Sequence, residues 1–154
     1  MKQTLAQVKT LFTNDTLTRK GNKSANAPIL KMIDLINNDN ATIETVANNS
    51  KTALNRGGTM ECLIKMYITK ANHVKQSLNN LTTDFEHNGK VYEIKYSSSK
   101  GYAHYNPKQD LTNLIFADQT GIYLTNGKNI ILDKCGKHIQ TIILNKNVKT
   151  LLTY

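Results

Sequence analysis

Cysteine is scarce: only Cys62 and Cys135 occur in the 154 residues, and they stand far apart, with no CxxC spacing. That argues against a disulfide scaffold and a cysteine-built zinc site, and predicts two small reduced thiols in a cytoplasmic protein. His73, His87 and His138 show no ligand-like spacing either. Long apolar runs are missing too. No stretch approaches the ~18–20 residues a membrane helix needs, and Met1–Lys9 lacks the apolar core of a secretory signal. No membrane partner is therefore expected. Acids are also few, 11 against 20 basic residues, for a net charge of +9. A small basic protein meets polyanions, with nucleic acid the first candidate, although a charge surplus also serves solubility. Repeats, low-complexity blocks and a clear linker are absent.

The length suits about one domain with a real core. Leu5, Val8, Leu11 and Phe12 recur at helical spacing. A basic glycine-containing loop follows, Arg19, Lys20, Gly21, Asn22 and Lys23, with a helix expected from Pro28 to Ile36. Thr42 to Ala53 reads as a weaker helix, faintly suggestive of a helix-turn-helix with Arg56. Gly57-Gly58 precedes the strongest helical pattern, Thr59 to Ile68, with Thr59 as its cap and one buried stripe through Met60, Leu63, Ile64, Tyr67 and Ile68. Beyond His73 the pattern turns to strands: Val74 to Leu78, Leu114 to Ala117, Gly121 to Leu124, Asn129 to Leu132 and Ile139 to Leu144, with an apolar tail from Val148 to Leu152. Asn126-Gly127 offers a turn between two of these strands. The expectation is an α+β chain, with a helical N-terminal segment over 1–55 on a mixed core over 56–154.

Asn88-Gly89 is the sharpest local signal, because both residues tolerate the positive φ of a type I′ hairpin turn. With that turn, Phe85 faces Tyr92 and Asp84 faces Glu93. Two carboxylates directly opposite repel, with Cβ atoms roughly 4.5–5.5 Å apart, unless a proton or cation is shared. Lys95 alternates onto the face of Glu93, while Phe85, Tyr92, Ile94 and Tyr96 occupy the other as a core anchor. A hard divalent ion fits such a pair, since Mg²⁺ takes oxygen ligands from one or two carboxylates plus phosphate and water. Solvated strand charges would leave the same local pattern.

Asp84 followed by Glu93-Ile94-Lys95 on the adjacent strand resembles the PD-(D/E)xK nuclease superfamily, the restriction-endonuclease-like fold. Thr83 stands where the motif often has proline, and no Gln-x-x-x-Tyr element follows the lysine. Glu61, after Arg56-Gly57-Gly58, is similar to the helical glutamate of resolvase-like members. The resemblance covers about residues 55–125. It implies a central mixed sheet flanked by helices, Mg²⁺ (with Mn²⁺ as a substitute) held by Asp84, Glu93 and Glu61, and Lys95 serving the attacking water. It also implies DNA as substrate and a homodimer for duplex cleavage. Ser97, Ser99, Lys100, Tyr102 and His104, in a polar segment leaving the lysine strand, suit phosphate contact or base stacking, as Arg19, Lys20, Lys23 and Arg56 suit a DNA backbone. A non-catalytic DNA-binding or phage-type accessory protein is the alternative.

Overall fold

Helices and short strands share the first half of the chain, and the elements among the described residues of the second half are strands. The computed structural model describes residues 2–14, 23–44, 56–75, 85–97, 102–105, 110–125, 130–135, 139–144 and 149–153. The chain forms two compact units, Met1–Leu78 and Asn79–Tyr154.

The first unit runs β1 (Lys2–Thr4), α1 (Leu5–Asn14), a 3-10 turn (Lys23–Asn26), α2 (Ala27–Ile36), β2 (Thr42–Glu44), α3 (Arg56–Thr69) and β3 (His73–Lys75). Thr4 and Gln7 close a capping box on α1: the Gln7 amide donates to Thr4 Oγ1 at 3.2 Å, and the Thr4 amide donates to Gln7 Oε1 at 2.9 Å. Leu5, Val8 and Phe12 are buried at the expected helical spacing. Pro28 sits in the first turn of α2, which buries Ile29, Met32 and Ile33. Left-handed Asn37 (φ 51°) ends it, its N–H reaching Ile33 O at 3.1 Å.

β2 is the centre of a three-stranded sheet, antiparallel to β1 and parallel to β3. The helical reading of Thr42 to Ala53 is thus wrong at its start, where Thr42 and Ile43 pair with strands on both sides; residues 45–53 lie outside the described residues. Non-local pairing outweighs a weak helical pattern, and with it goes the start of the helix-turn-helix suggestion. The α3 helix crosses from β2 to its parallel neighbour β3 and packs on α2. It begins at Arg56, so Gly57 and Gly58 lie inside it and Thr59 is an interior residue rather than a cap. Burial of Gly58 through Met60 and Cys62 through Met66 replaces the expected single stripe, because the helix is covered on more than one side.

The second unit contains β4 (Phe85–His87), β5 (Lys90–Tyr96), β6 (Tyr102–Tyr105), β7 (Leu114–Ala117), β8 (Gly121–Thr125), β9 (Ile130–Cys135), β10 (Ile139–Leu144) and β11 (Lys149–Thr153). Five of them form a mixed sheet, β11-β8-β7-β5-β4, in which only β5 and β7 are parallel. The others form an antiparallel sheet, β6-β10-β9. Asn126 and Gly127 lie outside the described residues, and the strands around them do not pair: β9 joins β10 through six matched residues, whereas β8 sits between β7 and β11. The segment after Lys95 is not all loop, since Tyr102–Tyr105 pairs with β10, and the apolar tail is edge strand β11. The chain is α+β.

Candidate metal and nucleic-acid site

The β4–β5 hairpin forms as the turn residues require. Asn88 (φ 50°) and Gly89 (φ 74°) both take positive φ. A Cβ on Gly89 would meet nothing within 4 Å, so backbone conformation rather than space selects glycine there. The register is the expected one: Phe85 opposite Tyr92, Glu86 opposite Val91 and His87 opposite Lys90. Asp84, one step further back, lies outside the described residues.

Glu93 and Lys95 share a face of β5, and Lys95 Nζ lies 2.7 Å from Glu93 Oε1. The Glu93 side chain has 0% exposure and that of Lys95 16%. On the same face, Glu93 is in register with Leu114 and Lys95 with Phe116, both fully buried, and Leu114 in turn with buried Thr125. The expectation of one ionic face and one apolar face therefore needs correction, since the ion pair sits in an otherwise largely apolar, buried face. Ile94 is fully buried on the other side, where Tyr92 and Tyr96 are half-buried; the Phe85 side chain is outside the described set. β5 is an interior strand of its sheet, between β4 and β7, and carries buried residues on both faces. At this depth a carboxylate needs a partner, and the lysine supplies charge while its stem lies along apolar surface. The backbone is fixed as well: Glu93 N–H donates to Asn113 O at 3.0 Å, and Asn113 Nδ2 donates to Val91 O at 3.2 Å.

Glu61 lies half-buried on α3 in the first unit, while Glu93 and Lys95 belong to the second. Arg56 opens α3, and its Nε donates to Asn26 Oδ1 at 2.8 Å. Buried Asn26 also donates through Nδ2 to Phe12 O at 3.2 Å, so Arg56 braces the 3-10 turn against α1. Lys23 begins that turn. Ser97 follows β5 directly, its N–H donating to Ala117 O at 2.9 Å. Tyr102 and His104 lie on β6, opposite Ile143 and Thr141 of β10. Arg19, Lys20, Ser99 and Lys100 lie outside the described residues. Among the described residues no three His, Cys, Asp or Glu side chains cluster as a metal cage, and no helix is long and apolar enough to cross a membrane.

Two constellations escaped the sequence reading. Buried Asp118 closes the β7–β8 turn, its Oδ1 accepting from Thr120 N–H at 2.7 Å, Thr120 Oγ1 at 2.6 Å and Gly121 N–H at 3.3 Å. The local Asp-x-Thr-Gly pattern is a recognisable turn signal. His73 bridges Thr42 and Glu44 of β2, with Nδ1 2.8 Å from Thr42 Oγ1 and Nε2 3.3 Å from Glu44 Oε2. That contact depends on the parallel β2–β3 register and has no local signature. No protein-family model matches the chain, and neither a curated protein nor a solved structure does.

Proposed function

We propose that this chain is a Mg²⁺-dependent nuclease hydrolysing DNA phosphodiester bonds, restriction-endonuclease-like or junction-resolving, with a core of that fold. The observation that supports the reading is the Glu93–Lys95 pair at 2.7 Å, on the strand that follows a type I′ hairpin turn. Its acid-x-lysine order and shared face are what metal-dependent phosphodiester hydrolysis uses. Glu93 offers hard oxygen ligands suited to Mg²⁺ or Mn²⁺, with Asp84 and Glu61 as the other acids of the motif. Such an ion, when bound, polarises a phosphoryl oxygen and acidifies a water.

Lys95 balances the charge of buried Glu93 in the resting chain, and a bound cation would share or replace that contact. The Lys95 side chain is partly exposed, so it can also hold a water or a phosphate oxygen as negative charge develops. The +9 charge concentrates a polyanionic substrate around the protein. One centre cuts one strand, so duplex cleavage calls for a homodimer, acting in the reducing cytoplasm. Complete burial of Glu93 favours the rival reading, a basic DNA-binding protein whose ion pair is structural.

Incubation with plasmid and with a four-way junction, in Mg²⁺, Mn²⁺ or EDTA, separates the two. The nuclease cleaves only with metal, and Glu93→Gln and Asp84→Asn, checked for fold by circular dichroism, abolish cleavage while DNA binding survives. Binding without cleavage under every metal condition, or cleavage indifferent to both substitutions, refutes it.

A further inference from the structure

A cavity of about 100 Å³ opens where α2 and α3 end, bordered by Leu35, Met66, Tyr67, Lys70, Asn38 and Asn72. Its walls are of three kinds. Met66 is fully buried and Leu35 is 45% exposed, giving an apolar floor and lip. Tyr67 presents an aromatic ring, over which Lys70 Nζ sits 4.3 Å from the centroid. Asn38 and Asn72 present amides, with Asn38 Nδ2 donating to Asn72 Oδ1 at 3.1 Å.

These amides are held in place. Asn38 Oδ1 accepts from the N–H groups of Asn40 and Ala41, both at 3.2 Å, and the Asn72 carbonyl accepts from Thr42 N–H at 2.8 Å. Lys70 takes a left-handed conformation (φ 57°), which turns the chain back so that Asn72 borders the same cavity as Tyr67. Asn72 Oδ1 keeps a second lone pair after accepting from Asn38, and its Nδ2 carries two hydrogens. One acceptor beside one donor is the pattern that pairs bidentately with the N6 amine and ring nitrogen of adenine.

We infer that this cavity is a nucleobase site that takes a single adenine, stacked on Tyr67, read by Asn72 and with its phosphate met by Lys70. Drug-sized sites occupy about 300–1,000 Å³, so the space suits one ring system rather than a larger cofactor. The ammonium now covering the ring is displaced by the base and moves outward to the phosphate, a role for which a flexible lysine is suited. The +9 charge favours a phosphate-bearing ligand over a cationic one. The site lies wholly in the first unit and does not rest on the phosphodiester reading.

Titration of ¹⁵N-labelled full-length chain with AMP, in EDTA so that no metal-dependent cleavage intervenes, tests it. AMP is expected to shift the Asn72 side-chain amide and to bind at least about tenfold more tightly than CMP. Tyr67→Ala weakens AMP about tenfold or more, Tyr67→Phe restores binding, and Asn72→Ala removes the preference over CMP. Adenosine binding more weakly than AMP, with that difference lost in Lys70→Ala, assigns the phosphate to Lys70. A short oligo-dA that outcompetes AMP identifies an unstacked base in a strand as the source, and the reverse order identifies a free nucleotide. Equal binding of AMP and CMP, or AMP affinity unchanged in a folded Tyr67→Ala, overturns the inference.

Discussion

Lys95→Met removes the ammonium from Glu93 and keeps most of the apolar stem. Glu93 has 0% side-chain exposure, so its carboxylate cannot turn to water for compensation. Breaking a buried pair from this side leaves an uncompensated charge and costs about 3 kcal/mol. Glu93→Gln is milder, because the amide oxygen still accepts from Nζ and the 16%-exposed lysine reaches solvent; about 1 kcal/mol is expected. The double variant then loses less than the sum, since no lone charge remains. Urea unfolding followed by far-UV circular dichroism reads this directly. At m-values of about 1–3 kcal/mol per M, Lys95→Met lowers the midpoint by about 1–3 M. A loss below about 1 kcal/mol, the range of solvated surface pairs, would refute the reasoning. So would Glu93→Gln proving as costly as Lys95→Met.

Asp118→Ala leaves buried N–H donors of the β7–β8 turn without an acceptor and destabilises by about 2–3 kcal/mol in urea unfolding, whereas Asp118→Asn loses less than half of that. A side chain at Gly89 has room, so Gly89→Ala costs about 1 kcal/mol in thermal unfolding through positive φ alone, and Gly89→Asn less, because asparagine tolerates the left-handed region. Burial pushes the Cys62 thiol up to about 12, its main cause, so the folded chain keeps it protonated. Peptide mapping after iodoacetamide treatment of native protein near pH 8 should find Cys62 unmodified, and unfolding should expose it. An acid whose folded pKa is raised contributes its stability fully below the unfolded value, so this part of the stability is lost as pH climbs from about 8.5 toward 12.

What the sequence disclosed was what short-range chemistry decides. Asn88-Gly89 fixed the hairpin and its register, because positive φ at two adjacent positions admits few residues. Alternation placed Lys95 beside Glu93, and apolar spacing found α1 and α2. The start of α3 was misjudged because Gly57-Gly58 reads as a breaker, yet a glycine costs only about 1 kcal/mol in a helix, and packing around Gly58 to Met66 outweighs it. β2 was hidden because three residues held by strands on either side carry no pattern of their own. The strand over Asn129 to Leu132 was legible but its partner was not, because β9 pairs with the strand that follows it rather than the one before the Asn126-Gly127 turn. Burial of the Glu93 face was illegible for a related reason: alternation tells which side a residue takes and nothing about what covers that side.

The strand pairings also set a timetable for synthesis. Every pairing described in the first unit lies between Lys2 and Lys75, so these partners have all been made before the hairpin is translated. β6 waits instead for β10, some three dozen residues downstream, and β8 gains its outer neighbour only when Lys149–Thr153 arrives. Long-range closure of this kind is slow and leaves strand edges exposed meanwhile. A ribosome stalled near residue 138 would therefore hold a first unit with its strand partners complete and a second half with open edges, the part of the nascent chain on which chaperones would act.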